Sequence, residues 1–130
     1  MQYVMSFQAL LKEAGLQYPL GESLSLNRLQ FQAIVQKLLT VEVDEKWYKH
    51  AYPDVAKALA SGALKSAKEH FVANGYFECR LPKKIVVDEG FYTGRYPEVA
   101  GAIREGEFRC AQEHFDKCGF REGAIPFAIR

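Results

Sequence analysis

An all-α fold is predicted: two tandem three-helix repeats packed together, with an N-terminal helical segment capping one end. Three observations predict it. Residues 43–82 align without a gap onto residues 87–126, at an offset of 44, with seventeen identical pairs. Proline and glycine recur at matched places, Pro53/Pro97 and Gly62/Gly106 among them, as helix punctuation. No alternating run of four or more residues is bounded by hairpin turns, so strands have no support. The 130 residues are read as a single domain, with an N-terminal segment over 1–42, one repeat over 43–82 and another over 87–126.

The N-terminal segment contains two expected helices. Ser6 to Ala14 forms the first, and Gly15 is placed to stop it in the left-handed conformation. Leu16 to Ser25, with Pro19 and Gly21, reads as a loop. Asn27 then caps a second helix, with Gln30 at the capping-box position and Leu26 and Phe31 spaced as a hydrophobic staple. Leu29, Ala33, Ile34 and Leu38 continue it at helical spacing to about Thr40.

Each repeat holds three short helices. Asp44 and Asp88 cap the first, which carries Trp47/Tyr48 or Phe91/Tyr92. Pro53 and Pro97 open the second, where a missing N–H costs nothing, and Gly62 and Gly106 close it. Ser66 opens the third, with Glu69 completing a capping box, and in the other copy Cys110 stands in the serine's place. Phe71 and Phe115 are expected to face inward, and Gly75 and Gly119 to end the helix. Turns or extended chain follow over Tyr76–Pro82 and Phe120–Pro126.

Composition narrows the function classes. With 48% hydrophobic and 25% charged residues the chain reads as globular. No apolar stretch approaches the roughly 20 residues of a membrane span, and Met1 to Ser6 lacks the features of a signal peptide. A cytoplasmic location without membrane insertion is the expectation. The net charge of +1 is too balanced for a nucleic-acid binder that neutralises phosphates, although residues 87–126 alone carry −3. The three cysteines suggest free thiols rather than a disulfide framework.

Several residues with reactive side chains also have structural roles open to them. Cys110, His114 and Cys118 fall at i, i+4 and i+8, and neighbouring members could ligate one zinc. The outer pair is about 12 Å apart along a helix, so the three do not converge, and the other copy has Ser66, His70 and Asn74. Glu69-His70 and Glu113-His114 are adjacent, hence about 100° apart around the helix, and the glutamate is better placed on the helix entrance. Each histidine reads as structural, hydrogen-bonded to a tyrosine or a backbone group. No nucleophile elbow, phosphate-binding glycine loop or paired-histidine zinc motif occurs, so no enzyme and no cofactor are expected.

The sequence Asp-Glu-x-aromatic-Tyr, then Tyr-Pro-Asp/Glu-Val-Ala, Gly, Glu-His-Phe, Gly-x-x-Glu and Pro, resembles a short repeat of bacterial proteins. That repeat accompanies polysaccharide-related glycosyltransferases and large secreted or surface proteins. The resemblance covers about two-thirds of the chain. It departs at Glu78-Cys79-Arg80, where the repeat has glycine before arginine, and at Glu122-Gly123-Ala124, where the arginine is missing. It implies an accessory or recognition module rather than a glycosyltransferase.

The expected function is therefore non-enzymatic binding of a protein partner, in exopolysaccharide or envelope production. One alternative is a carbohydrate-binding module using tyrosine, tryptophan and phenylalanine faces. The other is a small metal- or thiol-dependent protein built on Cys110, His114 and Cys118. Selective contacts are expected where the copies diverge and the chain is exposed, at Phe77, Arg80, Arg95 and Arg121.

Overall fold

Side chains at the helix entrances decide where most of the helices begin. A computed structural model describes residues 3–13 and 27–129, and among them there is helix and no strand. Helix α1 spans Phe7–Glu13, and the buried Ser6 hydroxyl accepts the Ala9 N–H at 3.1 Å to cap it. The expected stop at Gly15, the loop over 16–25 and the Leu26 half of the staple lie outside the described residues. Helix α2 spans Arg28–Leu39 and has the full capping box. Asn27 Oδ1 accepts the Gln30 N–H at 2.8 Å, and Gln30 Oε1 accepts the Asn27 N–H at 3.0 Å.

Contacts along the chain divide it into two compact units, Met1–Lys84 and Ile85–Arg130. In the first unit, α3 (Glu45–Ala51) starts at Asp44, whose carboxylate accepts the Trp47 N–H at 3.0 Å. Pro53 is the first residue of α4 (Pro53–Ala60), and Gly62, at φ +81°, carries the chain out of it. Ser66 Oγ accepts the Glu69 N–H at 3.0 Å at the entrance to α5 (Ala67–His70). The reciprocal half of that expected box differs: the Glu69 carboxylate takes the Lys65 N–H instead, at 3.1 Å.

In the second unit, α6 (Glu89–Arg95) is capped by Asp88, which accepts the Phe91 N–H at 3.1 Å. Pro97 opens α7 (Pro97–Arg104), and Gly106 follows it at φ +83°. Helix α8 (Ala111–His114) has Cys110 at its cap position, and the thiol makes no capping hydrogen bond. Thiols are poor acceptors, so the serine-to-cysteine exchange removes this cap.

The expected helix end holds in the first copy and is corrected in the second. Gly75 is the last helical residue of the first copy, with turn from Tyr76 to Cys79 as expected, whereas Gly119 does not stop the third helix of the second. The backbone runs on from His70 through one π-helical turn, Phe71–Gly75, and from His114 through another, Phe115–Gly119. Gly119 has φ −58°, and α9 (Phe120–Glu122) continues the helix where turn or extended chain was expected. These glycines are needed for space. A Cβ at Gly75 would collide with Tyr48 Oη, and one at Gly119 with Tyr92 Oη.

The core of the first unit gathers Phe7, Leu11, Leu38, Val41, Tyr48, Val55, Phe71 and Tyr76, all buried. The N-terminal helices thus share a core with residues 43–82. The second unit buries Ile85, Val87, Tyr92, Val99, Phe115 and Phe120. Phe71 and Phe115 are each 0% exposed, as their place on the apolar helix face implies. Emptying such an aromatic site costs about 3–5 kcal/mol. Among the described residues, no helix is long and apolar enough to cross a membrane.

Candidate functional site

Each unit contains a tyrosine and a histidine held in contact across two helices. Tyr48 Oη lies 2.9 Å from His70 Nδ1, and Tyr92 Oη lies 2.8 Å from His114 Nδ1. The tyrosine comes from the middle of the first helix of its copy and the histidine from the end of the third. Burial pushes the Tyr48 hydroxyl well above its ordinary pKa. Burial, with the Arg80 charge nearby, pushes the His70 imidazole below its ordinary value. The neutral pair is therefore the stable one: a hydroxyl and an imidazole sharing one hydrogen bond. The imidazole does not activate the hydroxyl as a nucleophile, because ionised Tyr48 would be a buried anion.

The glutamate that follows each cap does work that no local pattern reveals. Glu45 reaches the entrance of α5, accepting the Ala67 N–H at 2.7 Å and the Lys68 N–H at 3.0 Å. Glu89 does the same for α8, with Ala111 at 2.9 Å and Gln112 at 3.1 Å. A carboxylate placed there satisfies orphan N–H groups and meets the positive end of the helix. The signal in the sequence was the identity of Glu45 and Glu89 directly after the two capping aspartates.

The four residues expected to make contacts fall into two groups. Phe77 is half-buried rather than exposed. Its ring packs on Phe7 (centroids 5.0 Å), Phe31 (6.0 Å, stacked) and Tyr76 (5.6 Å), because the N-terminal helices cover this side of the unit. Arg80 is engaged within the chain. It donates two hydrogen bonds to Asp54, at 3.0 and 2.9 Å, and its guanidinium lies 4.7 Å over the Tyr52 ring. Hydrogen bonds from Arg80 hold the Asp54 carboxyl below the usual range. The partner of Arg80 is Asp54, and a sequence separation of 26 positions hides the pairing. Arg95 and Arg121 are exposed, and Arg95 lies 5.9 Å from the centre of the Tyr96 ring.

No family model, curated protein or solved structure matches this chain.

The cysteine-histidine set of the second copy is not gathered around a point. His114 Nδ1 is engaged with Tyr92, and the His114 ring packs on Phe108 at 5.0 Å. Among the described residues, no group of three or more His, Cys, Asp or Glu side chains is placed to hold a metal ion. Cys79, Cys110 and Cys118 are free and partly buried. Burial raises the Cys118 pKa, which keeps it a thiol at neutral pH.

Proposed function

We infer that this chain is a non-enzymatic helical-repeat module, two tandem three-helix units with an N-terminal helical cap, that acts by binding a protein partner. Its setting is bacterial exopolysaccharide or envelope production, the context that the resemblance of residues 43–82 and 87–126 supplies, and the cytoplasm is proposed as its location. The observation that carries the reading is the fate of the residues with catalytic chemistry. His70 and His114 are each hydrogen-bonded to a tyrosine, and Glu45 and Glu89 each cap a helix, by the same bonds in both copies. Groups committed in this way support architecture, which leaves recognition to the divergent surface. Arg95 and Arg121 are the exposed, copy-specific side chains there. Phe77 and Arg80 serve recognition indirectly, by holding the surface in shape.

Partner capture with the full chain tests this. The double substitution Arg95→Ala and Arg121→Ala should leave Tm unchanged and weaken capture of the native partner at least tenfold. Equal capture by this variant overturns the assignment of the surface. A glycan that quenches Trp47 fluorescence in a saturable way, with no protein captured, replaces the reading with carbohydrate binding.

A further inference from the structure

We propose that the second copy carries a receptor for an arginine side chain, formed by Tyr96, Glu98 and Glu122, and that a protein partner supplies the arginine. The proposal rests on the protein-binding reading and names the chemistry it would use.

The first copy shows how the receptor works. Arg80 is clamped by both oxygens of Asp54, lies over the Tyr52 ring, and has Glu78 at 3.8 Å. Its side chain is 20% exposed, so the guanidinium is largely enclosed. At the offset of 44, Tyr52 corresponds to Tyr96, Asp54 to Glu98 and Glu78 to Glu122. Arg80 corresponds to Ala124. The second copy thus keeps an aromatic floor and both carboxylates and lacks the arginine.

The scaffold around the missing side chain is preserved. The Tyr52 hydroxyl accepts the Leu81 N–H at 2.8 Å, and the Tyr96 hydroxyl accepts the Ile125 N–H at 2.8 Å. Each tyrosine ring is therefore tied to the segment that carries Arg80 or Ala124. In place of the guanidinium there is a cavity of about 200 Å³, lined in part by Tyr96, Glu98, His114, Glu122 and Ala124. Among the described residues, neither Glu98 nor Glu122 forms an ion pair. Arg95 is 5.9 Å from the Tyr96 ring centre, against 4.7 Å for Arg80 over Tyr52.

The chemistry selects arginine over lysine. A guanidinium is planar, stacks on an aromatic face and pairs with a carboxylate through two parallel hydrogen bonds, whereas an ammonium is a point donor. Glu98 is one methylene longer than Asp54 and reaches further toward an incoming group. The charge of −3 over residues 87–126 favours the approach of a cation.

The test uses the full ¹⁵N-labelled chain titrated with N-acetyl-arginine methylamide, and separately with its lysine counterpart. Arginine should shift the amides of Tyr96, Glu98, Glu122 and Gly123 saturably, with a Kd of about 1–10 mM, and lysine about tenfold more weakly. Glu98→Gln should weaken arginine binding about tenfold. Ala124→Arg should fill the cavity from within and abolish the shifts. Should that variant fail to fold, Glu98→Gln carries the test alone. The absence of saturable shifts, equal binding of lysine, or binding unaffected by Glu98→Gln overturns the receptor. Partner capture that persists without arginine binding removes the receptor and leaves the protein-binding reading standing. Arginine binding without capture of any protein does the reverse.

Discussion

Tyr48 rests its hydroxyl directly against the backbone of Gly75, on the side where any other residue would carry its Cβ. The same hydroxyl meets His70 Nδ1 at 2.9 Å, so one buried oxygen locks the first helix of the copy to the third. Gly75→Ala should therefore destabilise the chain by about 1–3 kcal/mol through overpacking, although alanine is the better helix former. Removing the obstructing oxygen with Tyr48→Phe should recover part of the loss. Urea denaturation of the single and double variants measures the coupling. Additive effects would show that the two sites do not touch.

Cys79 has φ +61° and occupies the place of Gly123, which has φ +91°. A side chain in the left-handed region costs about 1–2 kcal/mol, offset in part by the greater freedom of glycine in the unfolded chain. Cys79→Gly should raise stability by about 0.5–1 kcal/mol. Gly123→Ala should lower it. Thermal unfolding of both variants checks the opposite signs.

The cap missing at Cys110 offers a second gain. Cys110→Ser places a hydroxyl where Ser66 accepts the Glu69 N–H at 3.0 Å in the other copy. Restoring an N-cap is worth about 1 kcal/mol. Ser66→Cys should cost a similar amount, read as a shift in denaturation midpoint at unchanged slope.

Acid should weaken the fold through His70. Tyr48, Glu78 and Arg80 face its ring, and burial with the Arg80 charge holds its folded pKa below the ordinary value. The unfolded chain thus binds this proton more readily, so unfolding takes up protons in acid. The contribution is complete above about pH 6.5 and is lost as pH falls through the folded value. Arg80→Ala should raise the His70 pKa, since Glu78 and Asp54 then act on it without the opposing cation, and only burial still lowers it. NMR titration of the imidazole measures it, and a pKa unchanged or lowered in the variant contradicts the assignment.

The helix entrances were legible because their chemistry is local. Asn27 with Gln30, Asp44 with Trp47 and Ser66 with Glu69 each bond three residues apart, and Pro53 and Pro97 sit where their rings fit. The helical periodicity that placed Phe71 and Phe115 inside is local in the same sense. The candidate contacts were less legible. Divergence between the copies marked Phe77 and Arg80 as surface residues, yet one packs on helices from the N-terminal segment and the other closes on Asp54.

By itself the sequence determined that the described chain is helical and where most of its helices begin, because capping and periodicity act over three or four residues. Only the tertiary structure decided that Gly75 is a contact point for the Tyr48 hydroxyl as well as a helix end, and that Glu45 caps a helix 22 residues away. It alone decided, too, that Arg80 is half-buried against Tyr52. Each of these depends on a partner brought near by the packing of other helices. A close approach between distant segments leaves no period in the sequence from which to read it.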